Sequence, residues 1–155
     1  MICDTAVNRL LVASSCLLFV GGSDIIPAAR LAVSSTVPNA ESSEGEWATY
    51  IANNILSAGE GVEYVLPDGR RIDIYDKDNN ISYEVDWCQK WEEGIGQSLG
   101  YAIATNSQPG LILLYKSGED EYYNTALGVV NQLRERGYKY KFIVVNVKSG
   151  KVWRF

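Results

Sequence analysis

The chain has 155 residues, with 19 Asp and Glu against 14 Lys and Arg, three Cys and no His. That length suits one domain with a true hydrophobic core, and 46% hydrophobic with 21% charged residues excludes a disordered or collagen-like chain. Without histidine there is no Ser-His-Asp or Cys-His centre, no His-ligated zinc and no His pH switch, and a net charge of −5 argues against a uniformly basic nucleic-acid coat.

Residues 10–20, LLVASSCLLFV, form an apolar run of 11 behind Arg9 and ahead of Gly21-Gly22-Ser23. A spanning helix needs about 20 such residues, so this run is short for a bilayer. It fits the h-region of a secretory signal, with an ordinary N-terminal helix as the competing reading. The expectation is a signal peptide or membrane-anchor segment over 1–31, hence a secreted, periplasmic or membrane-tethered protein, and otherwise a cytoplasmic one. Its removal would take Cys3 and Cys16 away and leave Cys88 without an intrachain partner. Residues 32–45, AVSSTVPNAESSEG, read as a linker, and the folded domain is expected over 46–155.

Within that domain, EWATYIANNILS at 46–57 predicts an amphipathic helix with Trp47, Ile51 and Ile55 on one face, ended by Gly59. Val62 to Leu66 predicts a short strand stopped by Pro67-Asp68-Gly69. The segment RIDIYD alternates, Ile72 and Ile74 facing one way and Arg71, Asp73 and Tyr75 the other. After a turn, ISYEVDW at 81–87 alternates again, with Ile81, Tyr83, Val85 and Trp87 opposite Ser82, Glu84 and Asp86. A helix is predicted from about Lys90 to Thr105, then a Pro109-Gly110 break and a buried strand, LILLY, at 111–115. Residues 119–136 predict a second long helix with acids at its start, Arg134 and Arg136 at its end and Gly137 as its stop. Strands at Tyr140–Val147 and Val152–Phe155 close the chain. The order α-βββ-α-β-α-ββ predicts an α/β, three-layer arrangement with a mixed sheet flanked by helices. No P-loop or dinucleotide Gly-rich motif is present, so no nucleotide cofactor is expected.

The two alternating strands form a hairpin. If its turn is Lys77–Asn80, strand partners have numbers that sum to 157. Asp73 then faces Glu84, and Arg71 faces Asp86 in a cross-strand salt bridge. Directly opposed side chains have Cβ atoms about 4.5–5.5 Å apart, and like charges there repel. Two opposed carboxylates want a shared proton or a cation, and Mg2+ or Mn2+ is the more useful occupant. For the hairpin taken alone, two solvated acids on an exposed sheet face are the simpler account, and the following helix tips the balance toward a site. On the following helix, Lys90, Gly94, Gln97 and Tyr101 fall in one polar stripe beside an apolar one of Trp91, Ile95, Leu99 and Ala102. Gly94, Gly96 and Gly100 each cost about 1 kcal/mol relative to Ala in a helix interior, which suggests a close approach to the sheet or a ligand.

The string Arg71-Ile72-Asp73, Tyr83-Glu84-Val85-Asp86, Lys90-Trp91-Glu92-Glu93-Gly94-Ile95-Gly96-Gln97 and Tyr101 resembles the PD-(D/E)xK nuclease-like superfamily, closest to a small bacterial and phage-type group. The resemblance covers roughly residues 46–115 and implies a restriction-endonuclease-like core. It implies metal ligation by Asp73 and Glu84, with the Val85 carbonyl as a further ligand, and cleavage of DNA with Mg2+ or Mn2+. Gln97 and Tyr101 match the Gln-x-x-x-Tyr motif of RecB-like exonucleases, where these groups help hold the DNA or the site. The departure is Asp86, which stands where the family has its water-activating Lys. Lys90, on the following helix, is the substitute the family pattern offers, and Asp86 is then a third ligand.

The net charge hides a segregation that supports a polyanion partner. Residues 46–93 hold 11 acids and four bases, a net of −7, and residues 94–155 hold four acids and eight bases, a net of +4. Lys139, Lys141, Lys148, Lys151 and Arg154 are the candidate backbone contacts, with Tyr138, Tyr140 and Trp153 interleaved for stacking, and for any one of these residues a solvated hairpin with core aromatics is the simpler reading. Two rival expectations are a catalytically inactive binding module of the same fold and a secreted structural or interaction domain.

Overall fold

The computed structural model describes residues 36–155; the expected leader over 1–31 and the first part of the linker lie outside the described residues. The first helix is set by Ser43, whose hydroxyl accepts the Glu46 N–H at 3.3 Å while the Glu46 carboxylate takes the Ser43 N–H at 2.8 Å. This reciprocal capping starts α1 (Glu44–Ile51) two residues earlier than expected. The helix runs on as a π-helical turn, Ala52–Leu56, and stops at Ser57 in the left-handed conformation (φ 59°), before Gly59. Trp47 and Ile51 are fully buried, and the Trp47 indole N–H donates to the Asn39 carbonyl at 3.2 Å. The last residues of the expected linker therefore belong to the fold.

After α1 come β1 (Val62–Val65), β2 (Arg71–Asp76), β3 (Ile81–Trp87), α2 (Trp91–Thr105), β4 (Gln108–Tyr115), α3 (Asp120–Glu135), β5 (Lys141–Asn146) and β6 (Val152–Arg154). The six strands lie in chain order in one open, mixed sheet. β1, β2 and β3 are antiparallel hairpin neighbours, β3, β4 and β5 are parallel, and β6 returns antiparallel to β5. Parallel neighbours need long crossovers, which α2 and α3 supply.

Each face of the sheet has its own core. On one, Trp47 and Ile51 of α1 pack on Ile74, Tyr83, Val85, Ile112, Leu114 and Val145. On the other, Ile95 of α2 and Ala126 and Val130 of α3 pack on Leu111, Leu113, Phe142 and Val144. The protein is thus α/β, with a mixed sheet between helices on both faces.

Two local expectations change. Pro109 and Gly110 lie inside β4 rather than in a turn before it, opposite Ser82 and Tyr83 in the parallel register. Gly110 is required there by a neighbour: a Cβ would lie 2.4 Å from Tyr83 Cδ1. The polar side of β3 is also not solvated. Ser82, Glu84 and Asp86 are 0%, 7% and 4% exposed, because β3 is interior to the sheet and α2 covers it. Among the described residues, no helix is long and apolar enough to cross a membrane.

Candidate metal centre

The hairpin register fixes the site. Ile74 pairs with Tyr83, Tyr75 with Ser82 and Asp76 with Ile81, numbers that sum to 157. The same register carries Asp73 to the position facing Glu84. There the ladder ends, and the Asp73 side chain replaces it: Asp73 Oδ2 accepts the Val85 N–H at 2.8 Å. Asp73 is half-buried, and burial, opposed by that hydrogen bond, holds its carboxyl up at about 6.

Glu84 is the least satisfied group. Its Oε2 is buried and has no hydrogen-bond partner, alone among the buried side-chain oxygens and nitrogens of the described residues. Burial first, then the neighbouring charges of Asp73, Asp86 and Glu44, push its carboxyl up to about 9. A buried polar atom without a partner costs about 1–3 kcal/mol. It is compatible with a stable fold when a proton or a cation satisfies it.

Asp86 points to the same side, two residues on, and its carboxyl is also raised by burial. The expected Asp86–Arg71 bridge is not formed. Asp86 instead pairs with Lys90 Nζ at 3.5 Å, and Arg71 pairs with Glu63 of β1 at 3.3 Å. The strand on the other side of β2 supplies an acid that the hairpin pattern could not show. Gly94 lets α2 descend onto this carboxylate: a Cβ there would lie 3.3 Å from Asp86 Oδ2 and 2.6 Å from Leu111 Cδ1. Gly100 faces Arg70 in a similar way, whereas Gly96 faces open space. Only two of the three helix glycines therefore serve close approach.

Lys90 lies at the end of the short 3-10 turn that precedes α2, with its ammonium 2.8 Å from Glu44 Oε1. Glu44 is a fourth carboxylate of the group, and sequence reasoning missed it because the helix was expected to begin at Glu46. The Ser43…Glu46 capping spacing was the available signal. Gln97 is turned to Glu93 on its own helix, whose Oε1 accepts its amide at 3.1 Å, rather than to Asp73 or Glu84. Tyr101 is 8% exposed and packs with Leu66 and Ile72. Burial and the Glu84 and Asp73 charges raise its phenol, and the Arg70 guanidinium lies 5.7 Å from its ring centroid.

Asp73, Glu84, Asp86, Lys90 and Tyr101 are thus neighbours, drawn from β2, β3, the 3-10 turn and α2, with Glu44 added by α1. Among the described residues, no three carboxylates converge as a ready-made ligand cage. Two facing carboxylates with a buried free oxygen do fit Mg2+ or Mn2+, which bind through one or two carboxylates and keep several waters.

The C-terminal bases do not form one wall beside this group. Lys139 and Lys141 lie at the start of β5, whereas Lys148 and Lys151 lie past its end, about 17 Å away along a six-residue strand. Lys141 shares a groove with Arg154, Ile55 and Tyr83 on the α1 side of the sheet. Arg154 donates there to the Ile55 carbonyl at 3.3 Å. Lys151 lies over the Trp153 ring, 5.1 Å from its centroid. Cys88 is buried, and burial pushes its thiol up to about 12, which leaves it unreactive. In comparisons with family models, with curated proteins and with solved structures, none matches this chain.

Proposed function

We propose that the chain is a metal-dependent nuclease with a restriction-endonuclease-like core, hydrolysing phosphodiester bonds in DNA. The observation that carries this reading is the buried, unpartnered Glu84 Oε2 facing Asp73 across the β2–β3 hairpin. Asp73 and Glu84 would hold Mg2+ or Mn2+, with Asp86 beside them. When bound there, such an ion would supply Lewis-acid activation of a water and of the scissile phosphate. The chain's own groups do the rest. The Val85 N–H fixes the Asp73 carboxylate, α2 and the sheet exclude bulk water from Glu84, and Lys90 orients the water or the phosphate at its ammonium. Tyr101 packs against the strand that carries Asp73, and Gln97, whose amide donates to Glu93, contacts DNA from α2. None of these tasks needs histidine.

One specific observation favours a second reading, a catalytically silent binding module of the same fold. Asp86 stands at the position of the family's Lys, and the ammonium of Lys90 is shared between Glu44 and Asp86. The two readings separate in one experiment: incubate the protein with linear and circular DNA plus Mg2+ or Mn2+, beside Asp73→Asn and Glu84→Gln. Cleavage by the wild type that both substitutions abolish supports the nuclease. Saturable metal binding without cleavage supports the silent module, and cleavage that survives both substitutions refutes the site.

A further inference from the structure

The carboxylate group offers a polyanion no attraction of its own, so a polyanion approaching it needs cations close by, and the C-terminal lysines are split between two ends of the sheet. Two other cations are in place. Arg70 and Arg71 stand where the Pro67-Asp68-Gly69 turn enters β2, and the Leu66 N–H to Arg70 carbonyl bond (2.8 Å) fixes the backbone there. Arg71 is two residues before Asp73 and so projects from the same face of the strand. Its charge lowers the Asp73 carboxyl and also acts on Tyr101. Arg70 lies over the Tyr101 ring, in space that Gly100 leaves open: a Cβ on Gly100 would come within 3.3 Å of the Arg70 guanidinium.

Both guanidinium groups are accessible, with side chains 47% and 62% exposed for Arg70 and Arg71. Their present partners, Asp68 and Glu63, are exposed as well. Exposed ion pairs are weak in water and exchange readily. A guanidinium fork matches a phosphate with two parallel hydrogen bonds, which a lysine ammonium cannot do.

We propose that Arg70 and Arg71 contact the backbone phosphates that flank the bond presented to Asp73 and Glu84, in place of the C-terminal lysines. This rests on the nuclease reading and names the residues that hold its substrate. Each phosphate contact of this kind releases counterions and adds about one to the slope of log affinity against log salt.

The test is fluorescence anisotropy of a labelled DNA duplex against the full chain, in Ca2+ to neutralise the carboxylates, over a series of NaCl concentrations. Wild type is compared with Arg70→Ala/Arg71→Ala and with Lys148→Ala/Lys151→Ala, and Mn2+ binding is measured for each. The expected result is a salt slope reduced by about two in the arginine variant, unchanged in the lysine variant, with Mn2+ binding not weakened in either. An unchanged slope in the arginine variant, with wild-type binding and cleavage intact, overturns this assignment and leaves the nuclease reading standing. Absence of salt-dependent binding by the wild type overturns both.

Discussion

The two faces of β3 are both buried, but they are buried by different means. Toward α1, Tyr83 and Val85 lie in an apolar layer closed by the fully buried Trp47. Toward α2, the same strand buries Glu84 and Asp86, one of them with an oxygen that nothing among the described residues satisfies. The first face supplies stability. The second lowers it, a cost that the proposed metal site accounts for. The two faces should therefore respond oppositely to substitution.

The largest effect is expected on the apolar face. Trp47→Ala empties the layer under α1 and removes the indole bond to Asn39, so chemical denaturation should show a loss of about 3–5 kcal/mol. On the polar face the effect depends on pH. Burial holds Glu84 at about 9 and Asp73 at about 6, above their unfolded values of about 4. The native protein therefore keeps protons that the unfolded chain has already released. Their stabilising contribution is complete below about pH 4 and is lost as pH rises toward about 9. The melting temperature of the metal-free protein should fall across that window in a pH series, and Glu84→Gln should remove most of the fall while Mn2+ should offset it at the alkaline end.

Smaller effects separate the two sides of α2. Gly94→Ala must push Leu111 aside in a packed core. That strain outweighs the gain in helix propensity and should cost about 1 kcal/mol net. Gly96→Ala meets nothing within 4 Å and should stabilise by about 0.5–1 kcal/mol in the same urea titration. Lys148→Ala, on the β5–β6 connection, should stay within about 0.5 kcal/mol of wild type.

Local pattern carried much of the fold. The alternation in RIDIYD and ISYEVDW, with a four-residue turn between them, was enough to place Asp73 opposite Glu84, because a two-residue period leaves little freedom once the turn length is set. What local pattern could not carry was which face each strand would have covered. A solvated pair of acids remains open for Asp73 and Glu84 until β4 pairs beside β3 and α2 closes over it, burying Glu84 and Asp86, and both are contacts between distant segments. Arg71 was assigned to Asp86 for the same reason: its actual partner, Glu63, comes from a strand on the other side of β2. Glu44 depended on a helix start shifted by two residues, where the Ser43–Glu46 capping decides and hydrophobic periodicity says nothing. The basic C-terminal half showed a charge excess but not its distribution, since a β-strand sends neighbouring cations to opposite ends and faces.

The most direct measurement of the central claim is calorimetric titration of Mn2+ into the metal-free protein near pH 8, for wild type and Glu84→Gln. The account predicts saturable binding by the wild type, with proton release on binding because Glu84 is held protonated, and loss of that binding in Glu84→Gln. Binding that persists undiminished in Glu84→Gln, or no binding by the wild type, would contradict it.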